Sequence, residues 1–365
     1  MLYSDLLRPL LFQCDPEWVH HRVLGLGKML QHCPWVMSTP PHMPALEQTL
    51  FGVPFHSPVG LAAGFDKNLE LATLMQALGF GFMEGGSISA KPWPGNSTPR
   101  LFRLPKDKAV INRMGLNNHG VAKILPRINA LPLDFPVGIN LVKTPDPAIL
   151  GDTALADFEA CFSAVYGLGT YLALNISCPN TEDGKTFEEP EALDTLLTRL
   201  RSVEANCQSQ KPPRPWLLKV SPDLSPSQLA EVFDVGLKHQ VSGWIATNTT
   251  ASREGLNTPG DTLTRIGRGG LSGKPLKNRS TEILGQLHQL CKAHQTEAVL
   301  IGVGGVSDAE SAWEKITHGA SLVQVYTGLI YEGPGLIRQI RTGLARKLAE
   351  NGLTHIQEAV GLAFR

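Results

Sequence analysis

From Pro58 onward the chain repeats one unit, and this repetition limits its possible folds more than any other feature. Apolar runs rich in β-branched residues occur at 59–63, 80–84, 136–142, 171–176, 216–220, 243–247, 298–303 and 322–325. Segments with helical periodicity follow most of them, at 69–78, 118–129, 153–166, 191–205, 225–238, 280–293, 308–318 and 334–350. Eight alternating strand and helix units predict a closed (β/α)8 TIM barrel in preference to an open doubly wound sheet. The interval 87–117 is too long for a turn and carries Pro92, Pro94, Gly95, Pro99 and Pro105. It is expected to form a structured excursion over the strand ends, with a short hairpin at 101–104 and 110–112.

In such a barrel the active site lies where the strands finish. The residues there are small or polar: Ala62, Ala63, Gly64 and Lys67 after the first run, Ser87 after the second, and Asn140 at the third. The fourth to sixth supply Asn175, Lys219, Thr247, Asn248 and Thr249, and the last two Gly304, Gly305, Tyr326 and Thr327. Small residues admit a flat ligand close to the backbone, and uncharged polar groups suit a ring with both donors and acceptors. The stretch Gly302-Val303-Gly304-Gly305 and the end of the eighth run form the usual phosphate cradle of this fold. A G-x-G-G alone also serves a tight turn. No G-x-G-x-x-G opens an early βαβ unit, so a Rossmann nicotinamide site is not supported. Lys219 ends an otherwise apolar strand and either snorkels to solvent or meets a negative partner in the mouth. A flavin fits there, because a fixed cation favours its reduced, anionic form.

The chemically densest stretch is LALNISCPNT, residues 172–181. Pro179 forces the chain out of the sheet at Cys178. A lone Cys beside a strand is most often a small core hydrophobe, but Asn175 and Asn180 flank this one and suit a planar, carbonyl-rich substrate.

Composition removes several function classes. The formal net charge is zero, so there is no basic field to hold nucleic acid. Six cysteines without a C-x-x-C argue against a disulfide framework, a zinc site or an iron–sulfur cluster, and no metal is expected. No run of about 18 uncharged apolar residues spans a bilayer. The N-terminus reads as two short helices split at Cys14-Asp15-Pro16, with Asp15 as N-cap. Each has an apolar face (Leu2, Leu6, Leu7, Leu10, Leu11; then Trp18, Val19, Val23, Leu26, Met29, Leu30), which either packs on the main domain, or lies on a membrane surface or frames a tunnel for an apolar molecule. Residues 33–57 are Pro-rich and read as a linker. The organisation expected is 1–45 as helical hairpin and linker, and 46–365 as barrel.

These residues match a known pattern. The stretches DPEWVHHR, GLAAGFDKN, GFGFMEGGS, RLFRLPKDKAVINRMG, GINL, LNISCPNT, LLKVSPDLS, TNTT, GGLSGKPL, IGVGGVSD and SLVQVYTGL run over nearly the whole length. In them the chain resembles the dihydroorotate dehydrogenases of pyrimidine biosynthesis, and among these the membrane-associated, quinone-using class. The resemblance implies FMN bound by Ala62, Ala63, Gly64, Ser87, Asn140, Asn175, Lys219, Thr247, Gly273, Gly304, Gly305, Tyr326 and Thr327. For the substrate it implies Lys67 on the carboxylate, Asn112, Asn175, Asn180, Asn248 and Thr249 around the pyrimidine, and the loop Arg113, Met114, Gly115 and Leu116. Cys178 maps to the base that takes the C5 proton. His20 and Arg103 match polar positions of a quinone tunnel, and the N-terminal helices imply peripheral attachment at the cytoplasmic face of a membrane.

The pattern is not uniform. Quinone-using members generally carry Ser at the base position, whereas Cys178 is the mark of the soluble class. Leu116 stands where Phe is usual. A soluble-type acceptor such as fumarate or NAD, another FMN reductase of a uracil-like ring, and a flavin-binding barrel without turnover are the alternative readings.

Overall fold

The computed structural model describes residues 2–38, 40–132, 134–177, 186–207 and 212–365. Eight parallel strands close into a barrel: β1 (Val59–Leu61), β2 (Phe82–Ile88), β3 (Val137–Leu141), β4 (Tyr171–Asn175), β5 (Trp216–Val220), β6 (Gly243–Ala246), β7 (Val299–Val303) and β8 (Leu322–Val325). Each pairs with its sequence neighbours, and β8 closes onto β1. The eight expected strands and eight expected helices are all present, within a few residues at their ends. One boundary differs in a way that matters. Gly85, Gly86 and Ser87 belong to β2 rather than following it.

Alternation along the strands sorts side chains into two cores. Val59, Leu61, Met83, Ile139, Leu172, Leu174, Leu218 and Val323 face the surrounding helices. Phe82, Tyr171, Ala173, Leu217, Ile245, Ile301 and Leu322 fill the barrel itself. Two glycines make room for the large rings. A Cβ on Gly60 would lie 2.3 Å from Phe82 Cζ, and one on Gly138 would lie 2.1 Å from Tyr171 Cζ.

The interior is apolar where the strands begin and polar where they end. At the beginning it is shut by a short antiparallel pair, Gln48–Leu50 with Val53–Phe55, inside the stretch expected to be a linker. Phe55 is fully buried with its ring 5.6 Å from that of Phe82, and Gln48 Nε2 donates to Ser321 O at 2.6 Å. At the other end the expected excursion forms. Leu101–Leu104 pairs with Ala109–Asn112, and Gly270–Gly273, which sequence reading did not find as a strand, completes a three-stranded sheet.

The N-terminal helices dock through polar groups. Asp15 caps the helix Pro16–Leu30 by accepting from Trp18 N, as its sequence predicts. Glu17 pairs with Arg100 at 2.7 Å, Tyr3 Oη donates to Ile330 O, and Arg8 donates to Tyr331 O. Val19, Leu24 and Leu30 pack inward, and most of the helices' other large apolar side chains point away from the barrel. Leu6, Leu7, Leu10, Trp18, Val23, Leu26, Met29 and Trp35 are the exposed large hydrophobics among the described residues, and all lie within the first 35 positions. No described helix is long and apolar enough to cross a membrane.

Candidate active site

The polar end of the barrel is organised around Glu84. Its carboxylate is fully buried and points inward from β2. Glu84 Oε1 accepts from Lys219 Nζ at 3.2 Å and from Asn140 Nδ2 at 2.8 Å, and Oε2 accepts from Gln324 Nε2 at 2.9 Å and Tyr171 Oη at 3.2 Å. Four strands besides β2 thus contribute to one cluster. Burial, and then the neighbouring carboxylate, push the Tyr171 phenol well above its ordinary range. A buried carboxylate needs both a counter-charge and hydrogen bonds, and Glu84 has both.

From Asn140 the network runs outward. Ser87 donates to Asn140 Oδ1, Asn175 Nδ2 donates to Ser87 Oγ at 3.3 Å, and Asn175 Oδ1 accepts from Ser177 Oγ at 3.0 Å. Asn248 Nδ2 donates to Ser177 Oγ at 2.7 Å and uses its own carbonyl to accept from Thr249 N. Ser87 joins this chain because the β2–β3 register slips between Gly85 and Ile88. The bulge shifts the alternation by one residue and turns Ser87 inward where regular pleating would turn it outward.

Above this network lies a cavity of about 320 Å³. Ala62, Ala63, Gly64, Ser87, Lys219, Thr247, Gly273, Gly304, Gly305, Tyr326 and Thr327 line it, as do Lys67, Asn112, Arg113, Met114, Gly115, Leu116, Asn175, Asn248 and Thr249. Asn140 stands behind Ser87, fully buried. Cys178 and Asn180 lie outside the described residues, and the last described residue before them, Ser177, is in the wall. The three-stranded sheet covers the mouth through Leu101, Val110, Ser272 and Gly273.

Individual positions have their own causes. Buried Asp66 accepts from Glu70 N at 2.7 Å and Leu71 N at 2.8 Å, which fixes the loop that presents Lys67. Desolvation pushes Lys67 down to about 8, with nearby Glu17 acting against it. Arg113 donates to the carbonyls of Pro99, Ile266 and Arg268 and stacks on Phe102, so its guanidinium holds the cover in place. Thr327 Oγ1 meets Ser272 Oγ at 2.8 Å, tying the end of β8 to the cover. Behind Gly304, whose φ is +115°, Ser280 Oγ donates to Gly304 O and fully buried Lys315 donates to Ser280 and Thr281.

His20 and Arg103 are not brought together. His20 lines a second cavity of about 360 Å³, with Leu24 and Phe65, that shares Lys67 and Met114 with the mouth. Burial, then the Lys67 charge, pushes His20 down to about 3, so it is neutral near pH 7. Arg103 lies outside that cavity and donates to Leu11 O and Cys14 O. Sequence reading also missed Glu84, Gln324 and Ser272. Glu84 had a signal, since a lone Glu in an apolar strand two places after an inward Phe must face the same interior.

The donor set suits FMN. The mouth offers a buried ammonium, amide and hydroxyl groups for a ring edge, and a Gly304-Gly305 turn for a phosphate. Gln324 Oε1 lines the same wall, buried and without a partner among the described residues.

Fold and site together define a (β/α)8 barrel with a polar, lysine-bearing cavity at the C-terminal ends of its strands. Comparison with known proteins narrows the class. The profile of the dihydroorotate dehydrogenase family matches residues 45–348. A dihydroorotate dehydrogenase (quinone) of Gloeobacter violaceus is 42% identical, over 98% of this chain and 98% of its own. One of Mycobacterium ulcerans is 42% identical, over 98% and 96%. The crystal structure of the Eimeria tenella enzyme in complex with ferulenol superposes with a TM-score of 0.85 at 32% identity, covering 96% of each chain. The chain belongs to the dihydroorotate dehydrogenase family.

Removing Glu84 leaves the Lys219 ammonium buried without its counter-charge. Glu84→Ala is expected to cost about 3–5 kcal/mol of unfolding free energy in urea and to release FMN on dialysis. A loss below about 1 kcal/mol with full flavin retention would show that the pair does not hold the mouth together.

Proposed function

We propose that this chain oxidises dihydroorotate to orotate in pyrimidine biosynthesis, with FMN across the barrel mouth and a quinone as the final electron acceptor. One observation carries the reading: residues scattered from Ala62 to Thr327 that the family pattern assigns to cofactor and substrate line a single cavity. Lys219, Asn140, Asn175, Ser87 and Thr247 would hold the ring edge. Gly304, Gly305 and Thr327 would hold the phosphate. FMN, when bound, supplies the acceptor for the two electrons that leave the substrate.

The protein's own groups do the rest. Lys67 pairs with the substrate carboxylate, and Asn112, Asn175, Asn180 and Asn248 orient the pyrimidine through its amide edges. Cys178 takes the proton from C5. A thiol, with an ordinary pKa of about 8.5, is far closer to working pH than a serine hydroxyl and so suits this task.

The N-terminal segment 1–45 supports quinone as acceptor. Its exposed apolar side chains suit insertion among lipid headgroups, and the His20 cavity leads from these helices to Lys67 and Met114 at the mouth. Cys178 is the feature that favours a soluble-class acceptor, fumarate or NAD. The apolar helices have no role in that scheme.

Two measurements test the site. Lys67 is charged below about pH 8 and loses its charge as pH rises through that value, while orotate stays anionic. The dissociation constant of orotate, read from the flavin spectrum, should therefore be flat below that pH and rise by up to about tenfold per unit above it. A flat profile up to about pH 10 would remove Lys67 from carboxylate binding. Cys178→Ala should keep its FMN but be reduced by dihydroorotate about 10²–10⁴-fold more slowly. Unchanged reduction would exclude the thiol as the base.

A further inference from the structure

We propose that His42, Glu47 and His56 form a binding site for a divalent transition-metal ion of the zinc type, on the floor of the barrel opposite the catalytic mouth. Residues five and nine positions apart in sequence meet here because of the short antiparallel pair. Its register sets Gln48 against Phe55. Glu47 directly precedes the first strand and His56 directly follows the second, so they face each other at the open end of the hairpin. The single turn Pro44–Leu46 then carries His42 back over Glu47.

The three side chains converge on one point. His42 Nε2 and His56 Nδ1 each lie 2.7 Å from the same oxygen, Glu47 Oε1. The three ligand atoms lie within 4.8 Å of one another. An ion bound tetrahedrally at about 2.0–2.2 Å holds its ligands about 3.3 Å apart, so each imidazole nitrogen would move about half an ångström away from the carboxylate oxygen while the two nitrogens settle at that same separation. The two histidine side chains are 64% and 54% exposed, which gives the rings room to move and leaves the remaining coordination position to water. Two imidazoles and one carboxylate select zinc, copper or nickel over calcium and magnesium, which prefer oxygen ligands throughout.

The support beneath the site is rigid. Leu46 and Phe55, the neighbours of Glu47 and His56, are fully buried in the barrel floor. His42 sits on the strand of chain arriving from the N-terminal helices, one residue after Pro41, whose carbonyl accepts from Arg341 at 2.6 Å. A bound ion would clip this incoming segment to the floor and stabilise the folded chain by mass action.

The test uses the full-length, tag-free holoprotein, treated with a chelator and titrated with Zn²⁺ by calorimetry. The wild type should bind one ion per chain with a micromolar or tighter dissociation constant, and its Tm should rise with excess Zn²⁺. His42→Ala, His56→Ala and Glu47→Gln should each weaken binding by about tenfold or more and abolish the Tm rise, with flavin content and turnover unchanged. Absence of saturable binding would overturn the site. So would stoichiometric binding that survives the His42→Ala/His56→Ala double variant and disappears only when thiols are alkylated, because that ion would be held elsewhere.

Discussion

The ion pair of Glu84 and Lys219 is the constraint around which the mouth of the barrel is built. Two opposite charges inside a closed sheet lose most of their hydration, at a cost of several kcal/mol per ion, and persist only with good geometry and further hydrogen bonds. Asn140, Tyr171 and Gln324 supply those bonds from three other strands. The cluster therefore links five of the eight strands at one level and marks where apolar filling stops. Below it are Phe82, Tyr171 and Leu322, packed into space left by Gly60 and Gly138. Above it most inward positions are small, polar or cationic, with Val303 among the exceptions.

That division separates three tasks in space. Under the proposed function the polar end would receive the flavin and the substrate, beneath a cover whose segments Arg113 links to one another and which Thr327 ties to the barrel. The apolar N-terminal helices attach through Glu17, Tyr3 and Arg8 and leave their hydrocarbon free to meet lipid. The floor is closed by a hairpin with no part in the redox chemistry. Under the proposed function a charged substrate and a greasy acceptor would approach from different sides, with the His20 cavity between them.

Sequence pattern made the barrel legible because eight strands buried on both faces read as apolar runs, and helices with one buried face read at period 3.6. It made the ring of strand-end residues legible for the same reason, since a strand's last inward positions are known once the strand is. Glu84 escaped because the apolar run ends at it and the mouth is sought in the residues beyond, whereas the strand continues to Ile88 and holds Glu84 in its interior. Its partner Lys219 was visible without it. Ser87 was found, but the slip that turns it inward depends on pairing with β3, which the sequence does not display. The strand Gly270–Gly273 escaped because two of its four residues are glycine and pairing with Ala109–Asn112, not propensity, makes it a strand. The floor hairpin was hidden in a Pro-rich stretch for the same reason. Arg103 came from the resemblance as a polar position of a quinone tunnel, and its guanidinium donates to the carbonyls of Leu11 and Cys14.

The most direct test of the whole account is spectroscopic. Dihydroorotate added anaerobically to the purified yellow protein should bleach the flavin in a single turnover, and a short-chain ubiquinone should then restore the colour faster than fumarate or NAD does. A flavin that stays oxidised in excess dihydroorotate would contradict the assignment of the mouth. Recovery driven by fumarate or NAD and not by quinone would contradict the role given to the N-terminal helices.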